Sequence, residues 1–372
     1  MVDIREQIAQ LALSGSYGIS EIARRFDVSR PTVYAYRDRY RAEGRAGLAD
    51  RSRAPHAVHR VGDEIRQRII DERNRFGFGA KKIRQRMFDD DPDRPWPARS
   101  TIEEVLKREG LVQPRNRRPT YRSPFRQRFD ATVPGELHTI DFKGEFRLRD
   151  GRWCHPLTMT DSVSRYLLAC EALPSIRLDL SWPVVERAFR EHGLPAAVLS
   201  DNGPPFGAHG VGRFSLFAVR LMELGIQPVF IAPGHPEQNA SHERMHRTLL
   251  ESSWFRRAGS FPQQQRVFDD FRTMYNEERP HEGLGMKRPA RCHHPSPRPF
   301  PSVLPRIEYP SDCQVRVVSS NGTFKWRSGR VPISKAFEGR PIGLRLIDDA
   351  IWDVFFGTFH IGRFDEHERR VL

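Results

Sequence analysis

Leu137-His138-Thr139-Ile140-Asp141-Phe142 and, sixty residues on, Ala197-Val198-Leu199-Ser200-Asp201-Asn202-Gly203 decide the fold. The first reads as a strand, and the second is a short apolar run that reads as a buried strand. The first carries Asp141 near its end. The second stops at Asp201, where Asn202-Gly203 supplies turn chemistry. Between them, 152–159 and 166–172 read as two more strands of an antiparallel meander, and 182–192 as a helix. A helix over 214–224, a strand at Val229-Phe230-Ile231 and a helix from about Asn239 follow. A meander followed by alternating helix and strand predicts an α/β domain with a mixed five-stranded sheet and helices on its faces, over 132–290.

On the N-terminal side the pattern is purely helical. Ile4, Ile8 and Leu11 keep helical spacing. Ser20 is placed to cap a short helix over 21–26, Asp27-Val28 breaks it, and Ser29 with Pro31 opens the next. Helix, tight turn and capped second helix predict a helix-turn-helix unit over 1–52. In such units the second helix meets base edges, which makes Arg30, Thr32, Tyr34 and Arg37 candidate DNA-reading residues. A second unit of similar shape is expected over 60–112. Ile65, Ile69 and Ile70 mark one helix, Gly79 opens another, and Ser100-Thr101-Ile102-Glu103 reads as a capping box. Asp89-Asp90-Asp91 would repel phosphate and is expected to face away from it.

Leu48 to Pro55 reads as a short basic linker. A longer one over 113–131 carries Arg115, Arg117, Arg118, Arg122, Arg126 and Arg128 among prolines and aromatics. Arg117, Arg118 and Arg122 are candidates to follow a phosphate backbone. Beyond a Pro-rich bridge from Pro289 to Pro305, residues 306–372 are expected to form a small β-barrel-like domain. There Val315 and Val317 pair through an Asn321-Gly322 turn with Phe324 and Trp326, and 351–357 is a further strand.

The chain's 372 residues suggest two or three domains. Lys and Arg number 61 against 47 Asp and Glu, a formal charge of +14. Such a surplus favours a polyanionic partner, with nucleic acid foremost. No run approaches the roughly 20 apolar residues that cross a bilayer. The N-terminus lacks a signal peptide's apolar core, and a cytoplasmic, DNA-associated protein is expected. The four cysteines form no C-x-x-C pair, against a disulfide framework or a thiolate zinc site. Cys292-His293-His294 is a poor ligand set, since adjacent residues point apart.

Asp141, Asp201 and Glu243 stand on a strand, at a strand end and in the first turns of a helix, places that can converge where a sheet opens. Clustered carboxylates repel unless cations neutralise them, and two magnesium ions roughly 3.5–4 Å apart would do so.

Thr139-Ile140-Asp141-Phe142, Leu199-Ser200-Asp201-Asn202-Gly203 and the run from Gly234 to Glu243 resemble the three motifs of the DDE transposase and retroviral integrase superfamily. Tyr275-Asn276-Glu277-Glu278-Arg279-Pro280-His281 resembles the segment that follows the core in insertion-sequence transposases. The resemblance implies a ribonuclease-H-like core and catalysis by Asp141, Asp201 and Glu243 holding Mg2+ or Mn2+, two ions in all. It implies double-stranded DNA as partner, in element ends and target, and a homo-oligomer assembled on it. Glu237 is the rival to Glu243, but the relatives place the acid seven residues after the proline matching Pro236. The 42 residues from Asp201 to Glu243 exceed the usual spacing in retroviral integrases, and an insertion over 207–213 would account for that. Ala240 replaces a common glycine, and His138 a frequent Trp. Asp161 reads as a turn residue, Arg247 as a phosphate contact one helical turn after Glu243, and His242 and His246 as solvent-facing or structural. The alternative function is a catalytically silent DNA-binding regulator that has kept the core.

Overall fold

The structure is a computed structural model and describes residues 2–50, 61–112, 129–208, 214–231, 236–252 and 255–371. The chain divides into two compact units, Met1–Arg60 and Val61–Leu372.

The first unit holds α1 (Val2–Ser14), α2 (Ile19–Arg25) and α3 (Arg30–Glu43), closed by a 3-10 turn, Gly44–Leu48. Ile8, Ile22, Ala23 and Val33 form its core. Ile4, expected on that stripe, is 54% exposed. Ser29 caps α3 as expected, its hydroxyl accepting from the Thr32 amide at 3.3 Å. Ser20 does not cap α2; Gly18 does, without a side-chain bond. Leu48 is no linker residue either: it is fully buried, and the Arg5 guanidinium donates to its carbonyl.

In the second unit, α4 (Asp63–Phe76), α5 (Ala80–Asp90) and α6 (Arg99–Arg108) come first. The capping box at Ser100 is absent. The α6 N-cap is Ala98, and Glu103 instead pairs with Arg99 one turn back. Asp89 and Asp90 face Arg288, and Asp90 also meets Arg68, so two of the three acids of the run are paired within the fold.

The sheet comprises β1 (Leu137–Phe142), β2 (Phe146–Arg147), β3 (Trp153–Asp161), β4 (Leu167–Leu173), β5 (Ala197–Ser200) and β6 (Gln227–Phe230). The main order is β4-β3-β1-β5-β6, antiparallel from β4 to β1 and parallel from β1 to β6. The sheet therefore has six strands where five were expected. The extra one is the two-residue β2, which the sequence reading missed because it pairs only with the first residues of β3.

Two helices, α7 (Leu178–His192) and α8 (Leu216–Glu223), pack Val185, Phe189, Phe217 and Leu221 with Ile140 and Val198 of the sheet in one core. Another core gathers Cys154, Leu167 and Cys170 of the sheet with Met245 and Leu249 of α9 (Ala240–Glu251) and Phe268 and Phe271 of α10 (Phe261–Thr273). That same cluster contains Ile69, Ile83, Ile102 and Leu106 of α4 to α6. The Arg86 side chain, 6% exposed, bonds Glu72 at 2.7 Å and also pairs with Glu278, beyond α10.

The short helix α11 (Pro289–Cys292) opens the Pro-rich bridge, which is fastened across the core. Ser296 donates to the Leu194 carbonyl, and Arg298 to the carbonyls of Pro195, Leu224 and Gly225. The C-terminal strands are β7 (Cys313–Val317), β8 (Thr323–Trp326), β9 (Gly329–Pro332), β10 (Pro341–Asp348), β11 (Ile351–Phe356), β12 (Phe359–Asp365) and β13 (Arg370–Val371). A turn does form at Asn321-Gly322, where Gly322 takes φ 75°, but β7 and β8 do not pair across it. β7 joins β10 in a five-stranded antiparallel sheet, and β8 pairs with β9 in a separate ladder. Both pack on one core with Val219 and Met222 of α8. This is a partial barrel of two ladders, in place of the single small barrel expected.

Candidate active site

Strand register sets the first two acids side by side. In the parallel pairing of β1 with β5, Thr139 lies opposite Leu199. Asp141 and Asp201 are each two residues further along, so both stand at the same level where neighbouring strands end. Adjacent strands lie about 4.8 Å apart. Side chains alternate along a strand, so Asp141 shares a face with Thr139. That face is turned to α9: the Thr139 hydroxyl lies 2.7 Å from His242 Nδ1.

The buried stripe of α9 fixes how that helix sits. His242, Met245, His246 and Leu249 are all buried. His242 Nε2 and His246 Nε2 both lie 2.7 Å from the Thr158 hydroxyl on β3. Asp141 Oδ2 is 3.8 Å from His246 Nδ1. Burial pushes the His246 imidazole down to about 3, so it sits beside Asp141 as a neutral ring. Glu243 is the next residue after His242 and is therefore carried on the exposed side of the same turn.

Both other acids lie close enough to act on Asp141. Burial, foremost, and then the Asp201 carboxylate raise the Asp141 carboxyl to about 7, and Glu243 adds to the rise. Asp201 is also raised by burial, against the Gly203 amide that favours its charged form. Its Oδ1 is buried without a hydrogen-bond partner. Gly203 keeps this carboxylate in place, for a Cβ there would stand 3.1 Å from Asp201 Oδ2. Two raised, crowded carboxylates and an orphaned oxygen are what a divalent cation would satisfy. Among the described residues no three acids or histidines are drawn close enough to enclose an ion as they stand. Asp141 and Asp201 form the near pair, and Glu243 on α9 is exposed and acts on Asp141 more weakly than Asp201 does.

Asp161 is a turn residue, as expected. Its Oδ1 accepts from the Ser164 amide and hydroxyl, each at 2.6 Å, and its Oδ2 from the Gly135 amide. His138 is fully buried and its ring stacks on Phe189; burial lowers it to about 3. His293 stacks on Tyr166 and bonds His192 at 3.2 Å, which ties α11 to α7.

The DNA-reading candidates divide. Arg30 and Tyr34 are exposed. Thr32 is half-buried and its hydroxyl bonds Ser29 at 2.7 Å. Arg37 is half-buried, paired with Asp38 and stacked 4.9 Å over Tyr34. Arg247 is exposed on α9. Arg117, Arg118 and Arg122 lie outside the described residues, as do the Glu237 side chain and most of the expected insertion, whose base is closed by a bridge between Gly207 and Phe214. The threonine–histidine network was missed as such. Its signal was present in the helical spacing of 242, 245, 246 and 249.

Residues 131–236 and 224–289 match the family description "Integrase core domain". Residues 4–56 match a helix-turn-helix domain, 32–106 a homeodomain-like domain, and 313–372 the C-terminal domain of the IS481 family transposases. These matches describe an integrase core preceded by a helix-turn-helix region and followed by a C-terminal region of the IS481 transposase type. The chain is 28% identical over 165 residues to an uncharacterized 39.2 kDa protein of insertion element IS476 from Xanthomonas euvesicatoria, covering 43% of this chain and 45% of that protein. It is 27% identical over 162 residues to a 31.7 kDa protein of insertion element IS407 from Burkholderia multivorans, covering 42% and 55%. The match thus spans about half the length of these curated relatives. Among solved structures, the HTLV-2 integrase catalytic core in complex with magnesium covers 44% of this chain and all of that one, at 13% identity and a TM-score of 0.33. No described helix is long and apolar enough to cross a membrane.

Proposed function

We propose that this protein is a DNA transposase that cleaves element ends and joins them to target DNA by phosphodiester chemistry at Asp141, Asp201 and Glu243. The observation that supports this most is the β1–β5 register, which sets Asp141 level with Asp201, while Glu243 on α9 is near enough to add to the rise of the Asp141 carboxyl. The three carboxylates would hold Mg2+ or Mn2+, two ions in all, which when bound neutralise developing charge and polarise the phosphodiester. Asp141, whose carboxyl is raised to about 7 by burial and by Asp201, would have to be ionised to hold an ion. His246 stays neutral at its side and adds no competing positive charge.

Two in-line displacements would follow. Water attacks the phosphorus at the element end and releases a 3′-hydroxyl; that hydroxyl attacks a target phosphodiester and expels another. Neither needs a covalent bond to the protein. Arg30 and Tyr34 on α3 would meet base edges of the end sequence, and Arg247, one turn along from Glu243, a phosphate. Assembly as a homo-oligomer on DNA belongs to the same proposal. The decisive assay incubates the full chain with labelled end-sequence DNA and Mg2+. Nicking by the wild type, with loss of at least about a hundredfold and unchanged DNA binding in Asp141→Asn, supports the reading. DNA binding without nicking under Mg2+ or Mn2+ would leave a silent regulator in its place.

A further inference from the structure

Two half-buried or buried arginines in the second unit have opposite surroundings. Arg86 is held by two glutamates, Glu72 and Glu278. Arg279, just beyond, has no carboxylate within ion-pair distance among the described residues. Its Nη2 reaches only the Thr248 hydroxyl, at 3.4 Å, and its guanidinium lies 5.7 Å from the Phe78 ring centre. Burial lowers its pKa, and Glu251 offsets this only from a distance. A guanidinium withdrawn from water without a counter-charge is costly, and an anionic ligand removes the cost.

Arg279 lies at the edge of a cleft of about 1130 Å³ between α9 and the α4–α6 helices. That exceeds the roughly 300–1,000 Å³ of small-molecule pockets. Its lining is basic: Arg73, Lys81, Lys82, Arg99, Lys107 and Arg279 stand against three glutamates, Glu103, Glu251 and Glu282. Glu103 is spent on Arg99 and Glu282 on Lys81. Thr248 of the cleft wall is one helical turn beyond Arg244, and Arg244 directly follows Glu243. Arg244, Arg165 and Arg279 all act on the buried Tyr275 hydroxyl, and neither Arg165 nor Arg244 has an ion-pair partner among the described residues. Arg244 therefore places a positive charge on α9 between Glu243 and the cleft wall at Thr248.

We propose that this cleft is a track for a DNA phosphate backbone, and that Arg279 grips a phosphate where the strand leaves the catalytic acids. The inference rests on the DNA-transposase reading and places the strand's path within it. Each phosphate neutralised releases counterions, so it shows in the salt dependence of binding. The experiment measures binding of the full chain to end-sequence and scrambled duplexes by fluorescence anisotropy across a salt series. Arg279→Gln is expected to weaken both duplexes by the same factor and to lower the log–log salt slope by about one. Arg279→Lys is expected to recover the slope. Lys107→Gln, at an exposed wall position, is expected to lower it as well and carries the test if Arg279→Gln fails to fold. Unchanged slopes in both variants overturn the inference, as does a loss confined to the end sequence, which would signal base reading. Wild-type nicking with unchanged variant slopes sinks the track alone. Slope changes in a protein that never nicks sink the catalytic reading and leave the track standing.

Discussion

The two helical units at the start of the chain look alike in sequence and are built on different principles. The first, α1 to α3, closes on its own small core of Ile8, Ile22, Ala23 and Val33. The second, α4 to α6, has no private core: Ile69, Ile83, Ile102 and Leu106 share a cluster with Met245 and Leu249 of α9. A helix face that buries against the helix carrying Glu243 cannot also lie in a groove. The α4–α6 helices are thus a wall of the integrase-like core, and this is how they come to bound a basic cleft.

Acid should separate the two units most widely. Residues 2–50 contain no histidine, whereas His138, His242 and His246 are buried in the second unit. Burial lowers all three, His138 and His246 to about 3. The unfolded chain takes up protons near pH 6.5 and the folded one does not. Their contribution is therefore complete above about pH 6.5 and lost as pH falls from there towards 3. At pH 5 this is up to about 2 kcal/mol for each fully buried ring. Asp141, raised to about 7, has the opposite sign, as do Asp201 and Glu171, but His192, His281 and His293 are lowered as well, so the histidines outnumber the raised carboxyls. Thermal melts at pH 7.5 and pH 5 should show the transition of the larger unit falling sharply, with no such shift in the smaller. Equal shifts would contradict the contrast.

Arg86→Ala probes the sharing directly. Removing the cation strands Glu72 and Glu278 and should cost about 3–5 kcal/mol. The loss should appear in one transition that carries both α4–α6 and the catalytic sheet, read by near-ultraviolet dichroism and denaturant unfolding. If α4–α6 melt separately while the sheet holds, the shared core is not a cooperative unit.

Local chemistry was legible in the sequence, and long-range pairing was not. The strands over 137–142 and 197–200 have the expected bounds, because apolar runs ended by turn residues have few other solutions. Asp141, Asp201 and Glu243 stand on a strand, at a strand end and in a first helical turn as expected, because strand ends and a helix start are local features. Helix starts were less secure: Ser20 and Ser100 have capping chemistry, yet packing sets the starts at Ile19 and Arg99 and leaves both serines inside the first turn. At Asn321-Gly322 the turn was readable, but the partner of β7 is β10, which begins 24 residues after β7 ends. Nothing local signals that choice. The burial of His242 and His246 depended on Thr139 and Thr158, about a hundred residues away.

The most direct test of the central claim is Mn2+ binding to the full chain in the absence of DNA, followed by calorimetry at pH 7.5. The account predicts saturable binding by the wild type, lost in Asp201→Asn and weakened in Glu243→Gln, with both variants melting within a few degrees of the parent. Binding of the same stoichiometry and affinity in all three proteins would contradict it, since those carboxylates would then hold no ion.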